Sequence, residues 1–413
     1  MELIQLIVEY KGELNEELLL EIGSIKYKLP IIGAYILELP LSSVKYLQGI
    51  ESVKAVYEIS NITTQSSIKQ EFAGSRLLGA GPANLAYSGG LGHSCSGAWP
   101  HSIRDRACLT GKGVNIAILD TGLWPAADFV KPSNRLIAFK DFVNGRADFY
   151  DDNGHGTHVA GIACGNGYLS GGKYKGIACE AGIISIKVLD DEGKGSSADV
   201  LAGLQWVADN KDKYGIRIVN LSVGAPETGG FDPLTKAVEY IWDIGMVVAV
   251  AAGNNGPKSS TVTSPGSSKK VITVGACDDD LEVAAHDEKM MNFSGRGPTR
   301  SCIIKPDILA PGAGVISVCS KGMSERGFEL HKRRFVGDDY LSLSGTSMST
   351  PKVCGAIALL LEKYPNLAPD DVKYALKQSA KDQGKDANRQ GWGRLDIEAL
   401  LGGAVANVRE KGI

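Results

Sequence analysis

Residues 114–122 read VNIAILDTG. From Val114 to Leu119 the only polar residue is Asn115, and the run ends at Asp120. A strand that alternates polar with apolar has one wet face, whereas a strand without alternation is buried on both and belongs to a parallel sheet covered by helices. The glycines of GKG (111–113) invite comparison with a dinucleotide loop. That fingerprint needs its glycines after the strand, opening a helix, and here they come before it. The same apolar pattern returns in GIISIKVLD (182–190), IRIVNLSV (216–223), MVVAVAAG (246–253) and KKVITVGA (269–276). Helical stretches separate the strands, one from Gly156, one over 197–214 and one over 233–245. Strand and helix in alternation predict an α/β architecture, whose working residues gather at the carboxyl ends of the strands.

Upstream, residues 1–65 predict a small α+β unit. LIQLIVEYK (3–11) alternates as a strand, and NEELLLEIG (15–23) reads as a helix capped by Asn15. Two strands follow around a Pro-containing turn, SIKYKLP (24–30) and GAYILELP (33–40). A second helix, SSVKYLQGI (42–50), and a last strand, VKAVYEI (53–59), complete a βαββαβ order, a ferredoxin-like arrangement. Residues 66–108 then change composition. GAGPANLAYSGGLGHSCSGAWP (79–100) is rich in Gly, Ser and Ala and has no period, so it reads as a linker or exposed insert.

At 413 residues the chain is long enough for one large domain and a smaller one. A net charge of -3 gives no electrostatic reason to expect nucleic acid or an anionic membrane as partner. The basic cluster HKRRF (331–335) is short and reads as a solvated loop. The first residues show no basic and apolar signal-like segment, and no apolar run is long enough to span a bilayer, so a cytoplasmic location is expected. The eight cysteines show no zinc-type CxxC pair and are expected to be free thiols. Pairing of Cys95 with Cys108 or of Cys164 with Cys179 is the alternative.

Four positions, Asp120, His155, Asn254 and Ser347, carry the chemistry. Asp120 ends a strand, and Asn254 ends another in VAAGNNGP. His155 and His158 stand three apart in DDNGHGTHVAG, and Ser347 lies in GTSMSTP at the start of a long apolar helix. Singly, each has a plain reading as a turn former, a packed imidazole or a helix cap. Together they supply what a serine nucleophile needs. A hydroxyl needs a base, the base needs an acid to fix its tautomer, and the oxyanion needs donors in place. A zinc pair at His155 and His158 lacks the i,i+4 spacing, the Glu and a third ligand of the known helical motif.

The segments ILDTG, HGTHVAG, AAGNNGP and GTSMSTP resemble the signature motifs of the subtilisin-like serine proteases, in the family order Asp, His, Ser. NLSVG, SPGSSKKVITVGA, NFSGRGP and KPDILAPG extend the likeness from about Thr110 to about Leu400. Within the family the chain looks most similar to the bacterial cytoplasmic alkaline serine proteases. The resemblance implies an α/β three-layer fold with a mostly parallel central sheet, preceded by a ferredoxin-like propeptide. It implies a serine endopeptidase made as a self-processing zymogen, with Ser347 as nucleophile, His155 as base and then acid, Asp120 as its orienting carboxylate and Asn254 as oxyanion donor. Ser222, Val223 and Gly224 match the segment that pairs with substrate backbone, and Thr263, Pro265 and Gly266 match the floor of the specificity pocket. His158 matches a packed, structural histidine.

The expected division is therefore propeptide 1–65, linker and insert 66–108, and catalytic domain 109–413. The propeptide tail would cross the active site as a strand and be cut near Gln65–Ser66. The expected partners are peptide or protein substrates and the chain's own propeptide as inhibitor. No cofactor is needed for catalysis. A structural calcium is compatible with Asp128, although GNGYLSGGKYKG (165–176) does not match the family's calcium loop. Two rivals compete: a peptide-binding scaffold without activity, which would not react with a fluorophosphonate at Ser347, and a metal-dependent hydrolase, which a chelator would silence.

Overall fold

The computed structural model describes residues 3–12, 15–64, 109–226, 232–279 and 292–403. In the N-terminal part, β1 (Leu3–Tyr10), α1 (Glu16–Ile22), β2 (Ser24–Leu29), β3 (Ala34–Pro40), α2 (Val44–Gln48) and β4 (Val53–Glu58) follow one another. Asn15 caps α1 by accepting from the Glu17 N–H at 2.9 Å. The sheet order is β2-β3-β1-β4, with β1 antiparallel to both its neighbours, as ferredoxin-like connectivity requires. Adjacent residues on β1 serve different cores. Leu6 and Val8 pack with Leu19, Leu37, Leu39 and Leu47, while Ile7 turns to the opposite face and joins the core of the larger body.

That body is built on a seven-stranded sheet. Its strands are β6 (Asn115–Asp120), β7 (Leu136–Asp141), β8 (Gly182–Lys187), β10 (Ile216–Leu221), β12 (Val247–Ala251), β13 (Ile272–Ala276) and β14 (Ile308–Ala310). The order is β14-β13-β12-β10-β6-β8-β7, and every pairing in it is parallel. Helices cover it: α3 (Ala127–Val130), α4 (His155–Cys164), α5 (Ser197–Asp209), α6 (Pro233–Asp243) and α8 (Thr346–Lys363). Between the last two, β15 (Val315–Val318), α7 (Glu325–His331), β16 (Phe335–Val336) and β17 (Tyr340–Leu343) build a small antiparallel sheet and one short helix. The chain ends in α9 (Pro369–Ser379), α10 (Ala387–Gln390) and α11 (Ile397–Gly402). The expected α/β three-layer fold with its parallel sheet is thus present, as is the small antiparallel sheet before it.

Local chemistry explains the helices that matter. Helix α6 begins where Asp232 accepts from the Leu234 N–H at 3.0 Å, with Pro233 at its first position. Its buried residues, Leu234, Ala237, Val238, Ile241 and Trp242, keep the three- and four-residue spacing of one face. Burying each of the larger ones is worth about 1.5–3 kcal/mol. Helix α8 holds Pro351 in its second turn. Proline has no N–H, so the carbonyl of Ser347, four residues back, loses its helical partner. The Ser222 hydroxyl supplies one instead, at 3.1 Å.

HKRRF is a solvated turn only at its centre, where Lys332 and Arg333 are exposed, while His331 ends α7 and is buried, and Phe335 opens β16.

Candidate active site

Asp120 ends β6 and is buried. Its Oδ1 takes the backbone N–H of Thr121 at 2.8 Å and meets His155 Nδ1 at 2.7 Å. His155 opens α4, which lies against the β6 turn so closely that a Cβ at Gly156 would stand 2.3 Å from the Gly122 carbonyl oxygen. Only glycine fits there. The contact sets the imidazole beside the carboxylate and leaves its Nε2, also buried, free for another partner.

Sequence reasoning missed the residue that anchors this helix. Asp151 is fully buried. Its Oδ1 accepts from the N–H groups of Asn153 and Gly154 and from the Thr121 hydroxyl, and its Oδ2 accepts from the N–H and hydroxyl of Thr157. Four of these donors belong to the first turn of α4 or its approach, where unpaired N–H groups collect. Burial alone would raise the Asp151 pKa, but Lys187 and the donated hydrogen bonds overcome it and hold the carboxyl below its ordinary value. Lys187 is itself buried and donates to Asp152 Oδ1, the Thr121 carbonyl and the Leu189 carbonyl. DDNGH gives little sign of this, because Gly154 holds the capping position itself and Asp151 acts from three residues further out.

His158, one turn along α4, is fully buried, and its Nε2 reaches the carbonyls of Val315 at 3.0 Å and Leu341 at 3.1 Å. Burial, with His155 nearby, lowers its pKa to about 3, so it is a neutral N–H donor. Its place is the packed one, tying α4 to β15 and β17.

Ser347 lies in the first turn of α8, preceded by Gly345 at φ 148°. Its hydroxyl donates to the Ser222 carbonyl at 2.9 Å, while the Ser222 hydroxyl donates to the Ser347 carbonyl. The two serines are thus bonded reciprocally, and α4 and α8 pack against one another. Asn254 follows β12. Its Oδ1 accepts from the N–H and hydroxyl of Thr346 at 3.0 and 3.1 Å, which turns the amide nitrogen away from Thr346. The side-chain NH2 therefore points elsewhere than the helix end that holds its oxygen.

The two segments expected to bind substrate are joined. Val223 and Gly224 form strand β11, and Ala225 exchanges N–H···O bonds with Ser264 at 3.0 and 2.9 Å. Thr263 is buried at the adjoining turn, against Gly253, and Gly266 fits where a Cβ would lie 3.0 Å from the Thr263 carbonyl. Strand β5 (Asn61–Thr64) from the N-terminal part lies between two strands of the larger body. It pairs antiparallel with β11, Thr64 opposite Val223 and Thr63 opposite Gly224, and on its other side with β9 (Lys194–Ser196). Gln65 and Ser66 lie outside the described residues.

Both carboxylate oxygens of Asp128, the residue expected to be compatible with calcium, accept hydrogen bonds from the protein. Its Oδ1 takes the Leu169 N–H at 2.8 Å and its Oδ2 the Tyr340 hydroxyl at 3.0 Å. Burial raises its pKa, and its carbonyl faces the buried guanidinium of Arg135. Among the described residues no group of three or more His, Cys, Asp or Glu gathers around a common point. The described cysteines, Cys164, Cys179, Cys277, Cys302, Cys319 and Cys354, are free thiols, so Cys164 and Cys179 are not paired. Cys95 and Cys108 lie outside the described residues.

Comparison with known proteins agrees with this geometry. A family model described as the subtilase family matches residues 111–393. The chain is 44% identical over 310 residues to serine protease AprX of Bacillus subtilis, covering 73% of this chain and 69% of that protein. It is 32% identical over 291 residues to subtilisin DY of Bacillus licheniformis, covering 70% and 91%. Fervidolysin from Fervidobacterium pennivorans, described as a keratinolytic enzyme related to subtilisin, shares the fold with a TM-score of 0.68 at 21% identity. That match covers 97% of this chain and 61% of the fervidolysin chain.

Proposed function

The chain belongs to the subtilase family and is a subtilisin-like serine protease, and from that premise we propose that it is an endopeptidase made as a self-processing zymogen, with Asp120, His155, Ser347 and Asn254 as its machinery. The Ser347 hydroxyl leaves the Ser222 carbonyl, turns to His155 Nε2 and attacks the scissile carbonyl as that nitrogen takes its proton. Asp120, held to Nδ1, fixes the tautomer and stabilises the imidazolium. The oxyanion is received by the Asn254 amide and the Ser347 N–H at the start of α8, where the helix end favours negative charge. His155 then protonates the leaving amine, and water repeats the sequence on the acyl-enzyme.

The observation that carries this reading is β5 lying in the cleft as a substrate would, between β9 and β11. Edge-strand addition is a common way to hold an extended peptide. Counting on from the Thr64–Val223 pair, an antiparallel register calls for residue 65 opposite Ser222. That supports cleavage at Gln65–Ser66, with residues 1–65 as inhibitor and Ser222, Val223, Gly224, Thr263, Pro265 and Gly266 as the substrate-binding set. Further contacts favour an inhibitory unit that stays docked: Ser60 and Ser197 bond twice, Tyr27 donates to Asp199, and Lys236 reaches Glu9 and the Ile32 carbonyl. The substrates proposed are peptides and proteins, with no nucleic acid or membrane involved. Among the described residues no helix is long and apolar enough to cross a membrane. Free thiols favour a reducing, cytoplasmic location.

N-terminal sequencing of the purified protein, beside Ser347→Ala, tests the proposal. The expected result is a new terminus at Ser66 in the parent and an intact chain in the variant. A terminus outside residues 60–75, or the same cut in both proteins, overturns self-processing.

A further inference from the structure

Strand β5 shows which groups surround a bound side chain near the cut. A Cβ placed on Gly193 would lie 3.1 Å from both Cγ2 and Oγ1 of Thr64 and 3.6 Å from Asn153 Nδ2. The half-buried Thr64 side chain therefore lies against the bare backbone of Gly193, which the Asn153 amide also approaches, and we take Gly193 and Asn153 as the two walls of a slot for it. The Thr64 N–H donates to the Gly193 carbonyl at 3.0 Å, which fixes the strand over that residue. The two walls of the slot come from different segments, 152–154 before α4 and 190–193 before β9.

Helix α7 and the turn before it tie these walls together from behind. The Ser324 N–H donates to the Asp152 carbonyl at 2.8 Å, and the Ser324 hydroxyl donates to Asp191 Oδ2 at 2.8 Å. Arg326 pairs with Glu192 at 3.1 Å. Gly327 presses on the first wall, where a Cβ would stand 2.4 Å from the Asp152 carbonyl oxygen and 3.0 Å from Asn153 Cα. Met323 covers Gly154, and the Ser320 hydroxyl donates to the Asp151 carbonyl. Across the top, Asn153 Nδ2 donates to the Asp191 carbonyl at 3.0 Å. One short element thus bonds to both sides of the slot and leaves neither free to move outward alone.

We infer that α7 is a specificity clamp: it fixes the spacing of the 152–154 and 190–193 walls and so restricts the second residue before the scissile bond to side chains of about threonine size. This rests on the reading above that the chain is cut after Gln65, which makes Thr64 the penultimate residue. Ser324, Asp191 and Arg326 act through the walls and do not touch the reacting atoms. They are positioning residues.

The test compares processed parent enzyme with Ser324→Ala/Arg326→Ala and, separately, Asp191→Ala. Each is assayed on peptides differing only in Thr or Phe at the penultimate position, and on a second pair varied at the fourth residue before the cut, where Ile62 stands. The parent is expected to cleave the Thr peptide at least tenfold better in kcat/KM. Both variants should lower that ratio at least threefold and leave the second pair's ratio unchanged. A parent with no preference for Thr, variants with the parental ratio, or equal loss of selectivity at both positions overturns the clamp while leaving the protease assignment intact. If the parent cleaves no peptide, the protease reading fails and the clamp falls with it.

Discussion

Pro351 reaches Ser347 without touching its side chain. By withholding an N–H it frees the Ser347 carbonyl for the Ser222 hydroxyl, and the backbone of the proposed nucleophile is thereby bonded to the segment proposed to bind substrate. Ser222→Ala should leave that buried carbonyl unpaired and lower stability by about 1–3 kcal/mol in chemical denaturation. Asn254→Ala should act on the rate: loss of such an amide costs about 2.7–4 kcal/mol of barrier, a figure measured in a subtilisin and carried over here, seen as a fall in kcat with little change in KM. The two buried histidines away from the relay respond to acid. Burial lowers both His158 and His331 to about pKa 3, with Arg334 adding to the effect at His331. The unfolded chain takes up these protons near pH 6.5, so stability is complete above that pH and falls as pH drops toward 3, by up to about 1.4 kcal/mol per unit for each. His331→Phe should flatten the acid limb of stability against pH, because neither ring nitrogen has a hydrogen-bond partner to lose. His158→Phe should destabilise at every pH, since the carbonyls of Val315 and Leu341 lose their donor. Equal acid limbs in parent and His331→Phe would contradict this assignment.

Among the elements, legibility followed burial pattern. β6, β8, β10, β12 and β13 were readable because continuous apolar runs announce strands covered on both faces. β7 was not, since it lies at the sheet edge and mixes buried with exposed residues without a clean period. β14 is three residues long, too short for any period. α7 escaped because a seven-residue helix held by contacts to distant loops leaves little local signal. The four proposed catalytic positions were legible from motifs, but Asp151 and Lys187, which brace the segments carrying Asp120 and His155, were not: their roles appear only when Thr121, Thr157 and Asp152 come together. The far end of α4 shows the same dependence. The Cys164 carbonyl there takes Arg135 Nη1 at 2.6 Å, and the carbonyls of Ile162 and Ala163 take the N–H groups of Ile177 and Ala178. A cation at a helix C-terminus is favoured by the backbone dipoles. Arg135→Met should cost about 1–3 kcal/mol by orphaning a buried carbonyl, read as a lowered Tm that added calcium does not restore. Full rescue by calcium would contradict the assignment of that position to the arginine.

For the whole molecule, the N-terminal unit is wedged onto α5 and α6 and sends β5 between β9 and β11. Glu9 is buried at that junction, joined to Lys54 and to Lys236 of α6. Burial opposes its charge, but the two lysines prevail and hold its pKa below the ordinary 4.5. The contribution of this group to docking is present above pH 4.5 and is lost as pH falls through the lowered value. Glu9→Gln should weaken inhibition by the isolated N-terminal segment at pH 7, measured as a higher inhibition constant against the processed enzyme, and the difference should vanish in strong acid. All of this rests on Asp120, His155 and Ser347 acting as one relay. The most direct measurement is reaction of the processed protein with a fluorophosphonate, followed by intact-mass and peptide mapping beside His155→Ala. The account predicts one adduct, on Ser347, formed at least a hundredfold more slowly in the variant. No adduct on Ser347, or labelling at the same rate without His155, would contradict it.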